Sequence, residues 1–271
     1  MRFQEFAQAH GVIINRLDMN RWVSAPTTDH PHSNNGRYKF LGNIGWVQNW
    51  ATMDKPATWF EDGINKAQEI IKAINHSKED KIERAVQASK RAGWILNQCK
   101  QETHPYLASK GFPDLKADVW TSGKDKLLVI PMRHFKTLVG VQLINDKGDK
   151  NFLKGQSSKG AIFTMNAKGF PIFCEGFATG LSVREVLKTS NIKYSIYVCF
   201  SASNMKFIAS TFRKGLIIAD NDPNGVGEKT AIETDKPYWL STTIGDDFND
   251  YHKKVGTFNA SQELKKLILS I

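Results

Sequence analysis

The feature that most constrains this chain is a change of rhythm at Phe170. Beyond it, short apolar runs alternate with stretches of helical period. FPIFC is followed by a helix over roughly Thr179 to Lys188, YSIYVCF by a helix from Asn204 to Phe212, and GLIIA by a turn and a helix from Glu228. PYWLS and a closing helix complete the series. Alternation of apolar strands with helices predicts a parallel sheet covered on both faces, an α/β domain over residues 170–271. In such sheets ligands gather outside the carboxyl ends of the strands.

Carboxylates stand at those ends. Glu175 follows the run Phe170 to Cys174 directly, a place where a core role is unexpected. Asp220 and Asp222 follow Gly215 to Ala219; side chains two apart on extended chain point the same way, so both can converge on one ion while Asn221 points elsewhere. PNGVG then supplies a turn that brings the backbone close to a ligand. GDDFNDY places Asp246, Asp247 and Asp250 just after the last strand. Clustered oxygen donors without histidine or cysteine suit magnesium, which keeps several waters and bridges one or two carboxylates to phosphate. Like charges so close repel unless a cation neutralises them. Singly, each piece also has an ordinary reading: NDPNG as a turn, Glu175 as a helix cap.

Upstream, the patterns differ. Residues 1–60 open with a short amphipathic helix carrying Phe3, Phe6 and Ala7, then pass through turn-rich sequence read as short strands joined by Asn-Gly and Gly turns, a small β-rich module. Trp22, Trp46, Trp50 and Trp59 cluster there beside Arg21, Arg37 and Lys39; the mixture reads either as the module's core or as a face that stacks bases. Residues 61–105 read as a connector of two helices, Ile64, Ala67, Ile70, Ile71 and Ile74 on one face, then Ile82, Ala85, Val86, Ala92 and Ile95 after a break at Asn75 to Ser77. Residues 106–169 return to strands in LLVIPMRHF, LVGVQLIND and KNFLKG, which makes the whole an α+β chain.

Charge follows this division. The net charge is +10, a surplus that attracts polyanions. Between Lys110 and Lys168 stand eleven Lys or Arg against five Asp or Glu, so residues 106–169 are the expected nucleic-acid-facing surface. Cys99, Cys174 and Cys199 form no CxxC pair, so neither zinc nor a disulfide framework is expected, and His30 and His32 beside Asp29 read as a solvated loop. MRFQEFAQAH has no signal-peptide core and no stretch is apolar enough to span a bilayer; the expected location is the cytoplasm, without a membrane partner.

The order CEGFATGLSV, IIADNDPNGVGEKTA and GDDFNDYHKKVG resembles the Toprim domain of phage- and plasmid-type primases, similar to the catalytic core of bacterial replicative primases. HPYLASKG, LLVIPMR, LVGVQLIND and KNFLKGQSSKGAIF are similar to the basic subdomain that precedes Toprim there, and NNGRYKF with GWVQNW more loosely to the amino-terminal region. The resemblance implies a C-terminal Toprim domain preceded by a basic mixed α+β subdomain. It implies that Asp220 and Asp222 bind Mg²⁺ or Mn²⁺, that Glu175 is metal ligand or general acid/base, and that Asp247 and Asp250 complete the metal site. Arg133, Lys150, Lys154 and Lys159 would meet nucleotide phosphates or template. The implied activity is a nucleotidyltransferase making primers on a single-stranded DNA template from nucleoside triphosphates, in the host cytoplasm if phage-encoded. The family's amino-terminal zinc ribbon has no cysteines here, and no Walker segment is present, so a helicase would be a separate chain. Two alternatives stay open: a Toprim-type nuclease and a non-catalytic single-strand-binding protein.

Overall fold

Residues 1–271 are described by a computed structural model, in which the chain divides into two compact units, Met1–Ile82 and Glu83–Ile271. The first unit begins with α1 (Phe3–Ala9) and continues as an antiparallel sheet of β1 (Trp22–Ala25), β2 (Gly36–Phe40), β3 (Ile44–Asn49) and β4 (Ala57–Phe60) in sequence order. Strand alternation sorts the side chains. Val23, Ala25, Tyr38, Phe40, Val47, Ala57 and Trp59 join Phe3 and Ala7 of α1 in one core. The Tyr38 hydroxyl donates to the Arg16 carbonyl at 2.8 Å and accepts from the Asp18 N–H at 3.0 Å, so its burial leaves no polar atom unpaired. The expected Asn-Gly turn is absent. Asn35 and Gly36 lead into β2, and the β2–β3 connection passes instead through Gly42, whose φ of 91° suits glycine.

Two helices were expected over the connector, and one is found: α2 runs unbroken from Lys66 to Gln98. Asn75, His76 and Ser77 cost a helix only fractions of a kcal/mol each, and no Gly or Pro stands among them. Its two halves differ in burial. Ile70, Ile71 and Ile74 are exposed, so the first predicted core face is not one; of the second, Ile82 and Val86 are exposed and only Ala92 and Ile95 are fully buried.

The second unit holds two sheets. β5 (Lys100–Glu102), β6 (Ala117–Ser122), β7 (Asp125–His134), β8 (Thr137–Ile144) and β9 (Lys150–Phe152) form an antiparallel sheet in that order, with α3 (Pro105–Ser109) between β5 and β6. Val129 and Val141 on one face pack with Ala92 and Ile95 of α2. Leu128, Ile130 and Met132 on the other join the core of the next sheet.

That next sheet is assembled from β10 (Phe163–Met165), β11 (Phe170–Cys174), β12 (Tyr194–Val198), β13 (Leu216–Ala219) and β14 (Tyr238–Leu240), in the order β10-β12-β11-β13-β14. β11 to β14 are parallel, as the alternating pattern predicts; β10, not foreseen, is an antiparallel edge strand on β12. Both faces are covered. Ile172, Cys174, Leu216 and Ile218 pack with α4 (Phe177–Leu187) and α7 (Phe248–Leu269), while Phe173, Ile217 and Ala219 pack with α5 (Ala202–Ser210) and α6 (Val226–Ile232). α7 is two helical pieces joined at Gly256, whose φ of 81° is non-helical. No helix of the chain is long and apolar enough to cross a membrane.

Candidate active site

The topology dictates where a ligand should lie. After β11 the chain crosses to β12 on one side and then returns to β13 on the other, so the order of strands reverses beside β11. Connections leave in opposite directions at such a point and open a crevice at the carboxyl ends. Cys174 is in register with Ile218, so Glu175 and Asp220 emerge next to each other there.

Local structure then holds the acids. Glu175 accepts the backbone N–H of Ala202, the first residue of α5, and the Phe200 N–H donates to the Glu175 carbonyl at 3.0 Å with Phe200 at a φ of 68°. Gly227 lets α6 close over Asp220: a Cβ there would stand 2.0 Å from the Asp220 carbonyl oxygen, which no side chain can occupy. Asn221 turns away to donate to the Ser241 carbonyl at 2.8 Å, as alternation predicts. Its backbone pairs with the loop before α7, Gly245 N–H to the Asn221 carbonyl at 2.7 Å and Asn221 N–H to the Asp246 carbonyl at 3.2 Å. These bonds carry Asp247 toward Asp220.

The electrostatics record the crowding. The Asp220 carboxyl is pushed up to about 7, first by burial and then by the charges of Asp247, Glu175 and Asp222, with Lys150 opposing. Burial also raises Glu175, against Lys150 and together with Asp222. Oδ1 of Asp220 is buried and has no hydrogen-bond partner. An unpaired buried carboxylate oxygen costs about 1–3 kcal/mol or more, so it calls for a partner.

A divalent cation fits that requirement, within limits. The donors are carboxylate oxygens, the ligands a hard cation prefers. No group of three or more His, Cys, Asp or Glu side chains is arranged to hold an ion jointly. Magnesium takes only one or two carboxylates from protein and completes its shell with water and phosphate, so Asp220 with one neighbour is sufficient, and a closed cage is not needed.

The sequence candidates do not all gather. Glu175, Asp220, Asp222 and Asp247 share one field, Asp222 being the most exposed of them. Asp250, the third residue of α7, adjoins Asp247: its carboxylate accepts the Asp247 N–H at 3.5 Å while its own N–H donates to Asp247 Oδ1 at 2.9 Å, a capping box. Asp247 therefore commits one oxygen to the helix and offers the other, 3.9 Å from Lys110 Nζ. Asp246 is paired with Lys254.

Of the basic candidates, Lys150 at the start of β9 acts on both Glu175 and Asp220. Arg133 is exposed on β7 and donates to the Lys136 carbonyl at 3.1 Å; Lys159 stands 4.9 Å over the Phe207 ring; Lys154 is exposed after β9.

Two residues escaped the sequence reading. Lys110 caps the end of α3 in the HPYLASKG segment, and its role beside Asp247 follows from the contact of that segment with α7, where Asn249 donates to the Lys110 carbonyl at 2.8 Å and to Ser182 Oγ at 2.9 Å. Buried Asn204 accepts the Gly160 N–H at 2.7 Å and donates to the carbonyls of Ala161 and Cys199 at 2.7 and 2.8 Å, tying the segment after β9 to the strand end next to Glu175. Nothing around Asn204 in the sequence signals this beyond the start of a helix.

No family model matches the chain. Solved structures similar to it include the primase domains of two gp4 subunits, bound to an RNA/DNA hybrid and dTTP and interacting with the bacteriophage T7 lagging-strand DNA polymerase. That match has 14% identity, covers 63% of this chain and 92% of the other, and has a TM-score of 0.45. The primase fragment of the bacteriophage T7 primase-helicase protein is another, at 16% identity over 60% of this chain and 69% of the other, with a TM-score of 0.42. Likenesses of this strength carry no weight for the chemistry of this chain.

Proposed function

We propose that this chain is a Toprim-type DNA primase, which joins nucleoside triphosphates into short primers on a single-stranded DNA template with the help of Mg²⁺ or Mn²⁺. The observation that carries the reading is the unpaired, buried Oδ1 of Asp220 among Glu175, Asp222 and Asp247 at the point of strand reversal. The ordered motifs of the sequence support it: the strand-end Glu, Asp-x-Asp with Gly-x-Gly, and Asp-Phe-Asn-Asp.

Asp220 and Asp222 would hold the cation, with Glu175 or Asp247 as the neighbouring donor. A bound divalent cation supplies charge that neutralises a triphosphate and its leaving pyrophosphate. Glu175, held by Ala202 N–H and raised by burial, is suited to take a proton from the attacking hydroxyl and return it to water. Lys150 faces the same carboxylates and would position triphosphate oxygens against them; Arg133, Lys154 and Lys159, all exposed, would track template or nucleotide phosphate.

Primer synthesis on single-stranded DNA with Mg²⁺ or Mn²⁺ tests this. Labelled products should fall at least a hundredfold in Asp220→Asn and Asp222→Asn, the size expected when a metal-holding charge is removed from a reacting centre. Products unchanged by either substitution would sink the assignment. DNA cleaved with metal and no nucleotides would assign the site to a nuclease instead.

A further inference from the structure

One face of the amino-terminal sheet is closed by α1, and the other carries a different chemistry. The strand registers place Trp22 and Ser24 of β1, Arg37 and Lys39 of β2, Trp46 and Gln48 of β3 and Thr58 of β4 on that second face. None of these outward positions holds a carboxylate. Trp22 and Trp50 are 43% and 48% exposed, unusual for the most costly side chains to leave in water. The Arg37 guanidinium lies 4.4 Å from the centre of the Trp22 ring and 5.9 Å from that of Trp50. Arg37 donates to Gln48 Oε1 at 3.1 and 2.9 Å, which fixes the guanidinium plane without neutralising it. Lys39, cross-strand neighbour to both Trp22 and Trp46, is itself buried, so Arg37 is the cation that this face presents between the rings.

Rings held open to solvent around the partly exposed Arg37 guanidinium form a stacking surface for bases, with positive charge set to meet the connecting phosphates. A protein partner of ordinary composition would gain no more from this face than from any apolar patch, and its cations would need acidic residues opposite. Single-stranded nucleic acid satisfies both features along one strand.

We infer that the outer face of this sheet, centred on Trp22, Arg37 and Trp50, binds single-stranded nucleic acid by base stacking, without zinc and without the carboxylate site. The inference goes beyond the proposed activity and stands independently of it.

The test is fluorescence anisotropy of the full chain with a labelled oligo(dT) of about twenty nucleotides, in chelator, alongside quenching of tryptophan emission. Trp22→Ala and Trp50→Ala should each weaken binding about fivefold to tenfold and reduce the quench, and Trp22→Phe should retain most of the affinity. Should the alanine variants lose their fold, Ser24→Glu sets a carboxylate opposite Arg37 at an exposed position and should weaken binding to a similar degree. Folded variants that all bind within twofold of the unaltered chain would overturn the inference. So would a concentration-dependent dimer, seen by light scattering, that Trp22→Ala abolishes without changing oligonucleotide affinity. Retained Trp22-dependent binding in a chain that makes no primers would overturn the catalytic reading alone.

Discussion

At the scale of the residue, Asp220 concentrates the tension of this molecule. Its neighbours on the strand, Ile218 and Ala219, are fully buried, yet the carboxylate itself faces three others with only Lys150 in opposition. Its folded-state carboxyl is raised from 3.8 to about 7, so the folded chain binds this proton more tightly than the unfolded chain does. The sign follows from linkage: ionised Asp220 weakens the fold, stability from this group is greatest below about pH 4, and it declines as pH rises toward 7. In chelator at pH 8, Asp220→Asn should therefore raise Tm by about 3–8 °C, equivalent to roughly 1–3 kcal/mol in a unit of this size. At pH 5 the difference should be clearly smaller, and it should close only below about pH 4. Thermal melts at both values check this, and an equal difference at each would argue against a charge-based cause. Magnesium at pH 8 should stabilise the unaltered chain more than the variant, since a cation bound only to the native state shifts the equilibrium by mass action. Glu175 and Asp220 were legible as candidates because apolar runs end on them. The weakening by Asp247 was not, because it depends on backbone bonds between Asn221 and the loop at Gly245.

At the scale of the element, α2 and α7 show how periodicity misleads. The isoleucines from Ile70 to Ile82 repeat at helical spacing and so predict a buried face, but they are exposed; burial needs a partner surface, and Ala92 and Ile95 have one in the sheet of β5 to β9. Ile95→Ala should cost about 2–4 kcal/mol in urea unfolding and Ile74→Ala less than about 0.5, a contrast that a uniform amphipathic helix would not give. The break placed at Asn75 to Ser77 failed for the converse reason. Polar residues weaken a helix only slightly and do not stop one. In α7 the acids of GDDFNDY build the helix start together: Asp250 and Asp247 close the capping box, and Asp247 also serves the acidic field. A cap and a ligand look alike in sequence, since both want a short carboxylate just before an apolar turn.

At the scale of the whole molecule, the net charge of +10 coexists with a local acidic centre, an arrangement that suits a polyanion held by surface cations while its reacting phosphate meets a neutralised site. Affinity for single-stranded DNA should fall about tenfold to a hundredfold between 50 and 200 mM salt if roughly four phosphates are neutralised. A flat salt dependence by anisotropy would show that the surplus charge serves solubility instead. The division into units at Ile82 and Glu83, inside α2, lay outside any boundary the sequence suggested, because a continuous helix has no change of pattern to betray it.

Sequence alone determined what depends on local period and on residue chemistry: the buried parallel strands from Phe170 onward, their order along the chain, and the acids that end them. Tertiary structure alone decided what depends on neighbours distant along the chain. β10 became an edge strand because β12 left an edge to pair, and Lys150 came to oppose Glu175 because the antiparallel sheet and the parallel sheet share one core. Asp220 shows both contributions. Its position at a strand end is written in GLIIAD, but the raised carboxyl and the orphaned oxygen exist only because folding brings Asp247 and Glu175 to it and removes water.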